Sequence, residues 1–361
     1  MGGLHCTEHT GVDSLTSKPQ LAHTMMRMCA LLVLLLAGAA NADPGPDPTH
    51  KDCHPGDKSA LLAVKAALGE PYHFASWTPD NPCCDWYDVT CDLVTGRVVA
   101  LDVFQDANLT GTIPSAVAGL THLQRLFLHH LPALSGPIPP AIAKLSNLSS
   151  LTISWTAVSG PVPSFLGALK KLTMLDLSFN SLTGAIPASL ANIPYLSGIN
   201  LSRNRLAGAV PMFLSKSAGQ LFVYLWLSHN NLTGPIPAEF AAVNFAHLDL
   251  SRNALAGDPS GLFGRDKNLD YVDLSRNAFD FDLTGVVFSE LQLGFVDMSH
   301  NSIRGSVPAQ VGNLINLQTF NVSYNRLCGA LPTGGRIASF DLYNFQHNKC
   351  LCGPPLPQCK K

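Results

Sequence analysis

The pattern of apolar positions along the chain repeats itself. LTMLDLSFNSLTGAIP from Leu172, LSGINLSRNRLAGAVP from Leu196 and LQTFNVSYNRLCGALP from Leu317 all fit LxxLxLxxNxLxGxxP. Equivalent first positions fall at Val98, Leu123, Leu148, Leu172, Leu196, Phe222, Phe245, Leu269, Leu293 and Leu317, in steps of 23 to 26 residues. A unit of this size cannot bury its own apolar side chains, so ten of them in a row predict one elongated α/β solenoid in which each unit packs on its neighbours. Within a unit, Leu175 and Leu177 alternate with Asp176 and Ser178 as a short strand requires. Successive strands then form a parallel sheet, its apolar side inward and its other side lining a concave surface.

The remaining positions of the motif have structural roles. Asn180, Asn204, Asn230, Asn253, Asn277, Asn301 and Asn325 follow the strand; there a buried amide can satisfy backbone groups of its own and the adjacent repeat. The glycine of LxG allows a turn that other residues resist, and the Ile-Pro or Val-Pro that follows suits an extended segment. Repeats seven and eight read LAGDPS and FDFDLT instead, so their convex side should be irregular. Repeats one and two carry an extra residue, with Asp106 and Leu131 near the expected Asn, and HHLPALSG should bend the second turn. Both ends of a stack of strands need cover. Leu61, Leu62, Val64 and Leu68 at helical spacing, then Trp77 and CCDWYDVTC, predict an N-terminal cap with a helix over 57–68.

The net charge of −2 at pH 7 gives no overall attraction to nucleic acid, which leaves recognition to local arrangement. MMRMCALLVLLLAGAANA over 25–42 reads as a secretory signal peptide, with translation starting at Met25 or Met26 and residues 1–24 an upstream extension. Its apolar run is short for a membrane span, and the chain is expected to be soluble outside the cell. The expected divisions are 43–97 for the N-terminal cysteine-rich cap, 98–332 for the repeats and 333–361 for the C-terminal cap. Eight cysteines follow the signal in two groups, Cys53, Cys83, Cys84 and Cys91, then Cys328, Cys350, Cys352 and Cys359. Two closed groups of four allow nine pairings, and adjacent Cys83 and Cys84 are poor partners for each other. The favoured set is Cys53–Cys83, Cys84–Cys91, Cys328–Cys350 and Cys352–Cys359. Zinc would ask for paired CxxC ligands, which are absent, so no metal and no cofactor is expected.

Serines, histidines and aspartates recur once per repeat as a ladder, with no HExxH, GxSxG or Gly-rich phosphate loop, which argues against an enzyme. The concave face can be read in columns. Between the strand leucines stand Asp102, Phe127, Thr152, Asp176, Asn200, Trp226, Asp249, Asp273, Asp297 and Asn321. Two residues on, Phe104 and His129 lead a run of serines, Ser154 to Ser323, expected to leave room for a partner. The next column is Gln105, His130, Trp155, Phe179, Arg203, His229, Arg252, Arg276, His300 and Tyr324, aromatic first and then basic. Ahead of the strand, Arg125, Met174, Tyr224, His247, Tyr271 and Phe295 add bulk. Aromatic and Arg side chains of this kind anchor protein interfaces. Among the five N-x-S/T sequons, Asn108, Asn147 and Asn231 fall in turns or on the convex side, whereas glycans on Asn200 and Asn321 would obstruct the concave face.

CHPGDKSALLAVKAALG, the SW-x5-CCDWYDVTCD cap, ten LxxLxLxxNxLxGxIP repeats and the four-cysteine tail together resemble the polygalacturonase-inhibiting proteins of plants, over residues 53–359. The resemblance implies a right-handed leucine-rich-repeat superhelix with disulfide caps, and a cell-wall protein that binds fungal or insect endo-polygalacturonases and slows their digestion of pectin. It also implies pectin contact at the positions matching the family's basic column, Arg203, His229, Arg252, Arg276 and His300. The Asp column could then face the basic cleft of an enzyme whose substrate is anionic. An apoplastic signalling or co-receptor module would use the same face.

Overall fold

The computed structural model describes residues 53–212 and 223–360. The expected extension at 1–24, the expected signal at 25–42 and the first position of repeat six, Phe222, lie outside the described residues. Within them the fold is a right-handed leucine-rich-repeat solenoid. Short strands such as Met174–Asp176, Gly198–Asn200, Tyr271–Asp273, Phe295–Asp297 and Thr319–Asn321 stack in parallel, one per repeat. Their register is residue for residue, Leu175 beside Ile199 and Val272 beside Val296. The inward residues, including Leu175, Leu177, Ile199, Leu225, Val272 and Val296, are fully buried and form one continuous core.

The asparagines hold successive turns together from inside. Asn204 Nδ2 donates to Leu177 O of the preceding repeat and to Leu201 O and Ser202 O of its own, while its Oδ1 accepts from Leu182 N. The same set recurs at Asn230, Asn253, Asn277, Asn301 and Asn325. One amide thus pairs up to four backbone groups that would otherwise be buried without partners.

The motif's tail forms a second element that the alternation pattern does not reveal. Ser181–Gly184, Arg205–Ala209, Asn231–Gly234, Ala254–Gly257 and Ala278–Phe279 pair in parallel as another run of strands, the first four containing the second half of an NxLxG segment and the last lying in NAFDFD. Gly184 and Gly208 sit at φ +76° and +85°, where the chain turns toward the Ile-Pro or Val-Pro step. Prolines 114, 139, 163, 187, 237 and 308 each precede a five-residue 3₁₀ turn on the convex side. Repeat seven shortens this turn to Ser260–Leu262, in keeping with its missing Ile-Pro. In repeat two the extra residue is absorbed locally, where its strand pairs with that of repeat three. Arg125–Gly136 and Ser150–Pro161 run through both sheets as single 12-residue strands, with an irregular register between Leu131 and Ser135.

The N-terminal helix spans Pro55–Ala67, two residues earlier than the spacing predicts, because His54 Nδ1 accepts from Gly56 N and Pro55 suits the first turn. It buries Leu61 and Val64; Trp77 is also fully buried, its Nε1 donating to Tyr87 O. Val89–Cys91 runs antiparallel to Val98–Phe104 and closes that edge of the sheet. All four disulfides have the expected pairing, Cys53–Cys83, Cys84–Cys91, Cys328–Cys350 and Cys352–Cys359. No helix among the described residues is long and apolar enough to cross a membrane.

Candidate functional site

Strand register brings the expected concave columns together. Met174, Gly198, Tyr224, His247, Tyr271, Phe295 and Thr319 follow one another across the sheet. Beside them run Asp176, Asn200, Trp226, Asp249, Asp273, Asp297 and Asn321. The rings do not stand apart in solvent. His247 and Tyr271 lie 4.0 Å apart and 2° from parallel, Tyr271 and Phe295 4.2 Å apart and 6° from parallel, and Tyr224 stacks on Trp226. Each ring therefore covers its neighbour's face and presents mainly an edge, which leaves Trp226, Tyr271 and Phe295 half-buried.

The serine column differs from its expected role. Ser178, Ser202, Ser228, Ser251, Ser275, Ser299 and Ser323 are buried and leave no open room for a partner. The cause is local. Asp176, Asp249, Asp273 and Asp297 turn back so that Oδ1 accepts from the N–H of the serine two residues on, at 2.8–3.0 Å. The acidic column is thus partly structural, with one carboxylate oxygen committed to the turn. The repeated D-x-S triplet was the available signal for this.

The next column has a backbone property that side-chain patterning does not reveal. Gln105, His130, Trp155, Phe179, Arg203, His229, Arg252, Arg276, His300 and Tyr324 all occupy the left-handed region at φ +53° to +56°, which L-residues other than Gly and Asn disfavour. Interrepeat bonds hold it there: Arg203 N donates to Ser228 O at 2.8 Å and Arg252 N to Ser275 O at 2.9 Å. This turn swings the side chains onto the rim. Trp155 and Phe179 stack at 3.7 Å, and the Arg203 guanidinium lies 5.0 Å from the Phe179 centroid. Arg203, Arg252 and Arg276 are exposed. Tyr324, outside the expected binding set, is also exposed and stacks between His300 and His347.

The electrostatics of the two charged columns diverge. Burial, partly offset by the Ser275 hydrogen bonds and reinforced by the flanking Asp249 and Asp297, pushes the Asp273 carboxyl up to about 6. Tyr271 is driven upward by burial and by the same three aspartates. Burial lowers His229, and Arg203 and Arg252 lower it further; burial and Arg276 do the same for His300. The rim's positive charge at neutral pH therefore rests on the three arginines, with the two histidines adding charge only on acidification. Nδ1 of each of these histidines is buried without a hydrogen-bond partner. At the N-terminal end, Arg125 forms a two-pronged ion pair with Asp102 at 2.7 and 2.5 Å.

The sequon asparagines separate by environment. Asn108 and Asn231 are exposed, whereas Asn147 is half-buried, donating to Thr121 O and accepting from Lys171 Nζ. Asn200 supplies the turn acceptor for Ser202 N, and Asn321 Nδ2 donates to Asp297 Oδ2 at 3.0 Å.

Comparison with known proteins gives a consistent picture. A leucine rich repeat N-terminal domain model matches residues 54–92, and a leucine rich repeat model matches 171–193 and 222–243. A crystal structure of a plant ice-binding protein superimposes with a TM-score of 0.82 at 45% identity, covering 86% of this chain and 99% of that one. Polygalacturonase inhibitor 1 of Arabidopsis thaliana is 47% identical over 310 residues, 85% of this chain and 93% of that protein. The polygalacturonase inhibitor of Pyrus communis is 51% identical over 308 residues, 85% of this chain and 92% of that protein. Identical at half of the aligned positions along nearly the full length of the pear protein, the chain belongs to the polygalacturonase inhibitor family of leucine-rich-repeat proteins.

Proposed function

We propose that this protein is exported to the plant cell wall by its 25–42 segment and there inhibits endo-polygalacturonases of fungi or insects. It docks its concave face over their substrate cleft, contacts pectin through the basic rim, and performs no chemistry of its own. The observation that carries the reading is the left-handed rim column. Folding alone would favour Gly or Asn there, yet this chain places Trp155, Phe179, Arg203, Arg252, Arg276 and Tyr324 at those positions. The fold by itself does not select the ligand, since a similar solenoid is named for ice binding; the rim side chains do.

On this reading Trp155, Phe179, Tyr224, Trp226, His247, Tyr271 and Phe295 supply the apolar contact. Asp176, Asp249, Asp273 and Asp297 face basic groups lining the enzyme's cleft, and Arg203, His229, Arg252, Arg276 and His300 meet the polyanionic chain. Glycans sit at Asn108 and Asn231, away from that surface. The experiment is an inhibition assay against a panel of endo-polygalacturonases, with binding to demethylated pectin measured in parallel. Arg252→Glu combined with Arg276→Glu should abolish most pectin binding in a salt-sensitive way. Trp226→Ala should weaken enzyme binding by about 2 kcal/mol with little salt dependence, and convex Lys144→Ala should change neither. Absence of inhibition across the panel, or equal loss from Lys144→Ala, would overturn the reading.

A further inference from the structure

The aromatic stack on the concave face stops one position short. His247, Tyr271 and Phe295 follow one another in register with their planes nearly parallel. The next residue in that register is Thr319. One face of Phe295 is covered by Tyr271; the other looks across a side chain too small to replace a ring. Immediately before Phe295, where the flanking repeats carry Asp270 and Gln318, stands Gly294. A Cβ added at Gly294 would meet only Asp270 O at 3.5 Å and Asn316 O at 3.8 Å, both ordinary contacts. The missing ring and the missing side chain lie in an open notch of about 550 Å³ that runs from His247 past Tyr271 and Phe295 to Thr319 and is rimmed by Asp270, Asn316 and Gln318.

We infer that this notch binds a single neutral pyranose unit of an oligosaccharide. A flat ring face with negative quadrupole suits the polarised C–H face of a sugar. The Asp270 carboxylate and the Gln318 amide around the rim offer acceptors and donors for ring hydroxyls, while the Asn316 amide, which already donates to Leu291 O at 2.7 Å, offers chiefly its oxygen. The volume falls within the range of small-ligand clefts, roughly 300 to 1,000 Å³. Strand spacing explains the fit. A pyranose in the notch takes the place of the ring that Thr319 does not supply and continues the stack. Charge selects against a uronate, because Asp270 is on the rim and Asp273 and Asp297 lie in the adjacent column, so a sugar carboxylate would enter a negative field. The site is therefore chemically distinct from the arginine rim and stands whether or not a polygalacturonase docks on the same face.

The test is calorimetric titration of the full-length protein with mannopentaose, with β-1,4-galactotetraose and with trigalacturonate. At least one neutral probe should bind with a Kd on the order of 1 mM. Gly294→Val narrows the notch at a position outside the left-handed region and should weaken that binding at least about tenfold while leaving the melting temperature unchanged. Phe295→Ala should do likewise by removing the stacking face. Preference for the galactan probe would point to a wall polysaccharide, and preference for the mannan probe to the glycan of a partner glycoprotein; either supports the site. Trigalacturonate binding, wherever it occurs, should be the same in the wild type and Gly294→Val. The inference fails if neither neutral probe binds, if Gly294→Val and Phe295→Ala bind them unchanged, or if Gly294→Val loses trigalacturonate. Polygalacturonase inhibition measured on the same variants reports on docking separately.

Discussion

The two ends of the solenoid share a covalent plan and differ in everything else. Each carries one disulfide closing 7 residues and one closing a longer loop, of 30 residues at the front and 22 at the back. At the front the repeat architecture is abandoned. A helix, the buried rings of Phe74, Trp77 and Trp86, and an antiparallel strand cover the first repeat. Asp57, fully buried, accepts from Arg97 Nε and Nη2 and from Val98 N, all at 2.8 Å, and ties the helix to the first strand. At the back the architecture is continued instead. Asn348 acts as one more rung of the ladder, donating to Val322 O and accepting from Leu327 N, and His347 repeats the left-handed rim conformation at φ +58°. Phe345 and Ile337 then plug the open core. A cysteine framework therefore says that an end is closed but not how; one end stops the repeat and the other imitates it.

If that contrast is right, the front should be the costlier end to disturb. Asp57→Ala leaves Arg97 and Val98 N without their partner and should lower stability by about 3–5 kcal/mol, seen as a large drop in denaturation midpoint. A value below about 1 kcal/mol would mean that the ion pair does not join the cap to the repeats. Next in size is removal of the 30-residue bridge by Cys53→Ser with Cys83→Ser, expected to cost about 3.5 kcal/mol from loop closure alone; because the helix is lost with it, hydrogen exchange should rise across the whole of Pro55–Ala67. Asn348→Leu should cost about 1–3 kcal/mol, with faster exchange confined to the last repeat. Exchange spreading to the middle repeats would show that the final rung is not a local closure.

The smallest effect concerns pH. His73 in the front cap places Nε2 2.6 Å from Asp88 and Nδ1 3.3 Å from Asp106, so both nitrogens face acceptors, and the hydrogen bond to Asp88 raises its pKa above 6.5. A raised folded pKa gives stability that is fully present below 6.5 and lost as pH rises through the folded value; Asp88, raised by its own burial, has the same sign, but its contribution is fully present only below 3.8 and begins to be lost from there. On the His73 contribution alone stability should fall from about pH 6.5 upward. His229, His247 and His300 give the opposite trend, because their lowered values favour the folded state as pH rises, so thermal melts from pH 6 to 8 are compared with those of His73→Gln. His73→Gln should shift the slope toward stability rising with pH, and a slope identical to the wild type would assign the pH dependence to other groups.

Much of this was legible in the residues. The period, the asparagine hydrogen-bond ladder, the cysteine pairing and the irregular convex side of repeat seven each follow from a residue type at a fixed spacing whose physical demand is local. What could not be read has a common cause: it depends on how one turn sits on the next. The LxG segments alternate too briefly to announce a strand, and only stacking makes them a second sheet. The serines look exposed by alternation, and only the left-handed residue after them, with the Asp turn before them, shows that they are buried. Asn348 was missed because FQHNKC falls among cysteines, although it lies 23 residues after Asn325, within the range of the repeat. The notch at Gly294 arises from two absences in adjacent columns, which no motif records.

The asparagine rung has one further consequence, for the length of the molecule. Every junction from Asn204 to Asn348 uses the same backbone acceptors and the same N–H donor, so no rung is particular to its position. Deleting or duplicating one whole period would leave each surviving junction chemically as it was. The span of the inner surface is then an independent variable, adjustable in steps of one strand spacing of about 4.8 Å, while the two ends and the surface chemistry of the other repeats stay as they are.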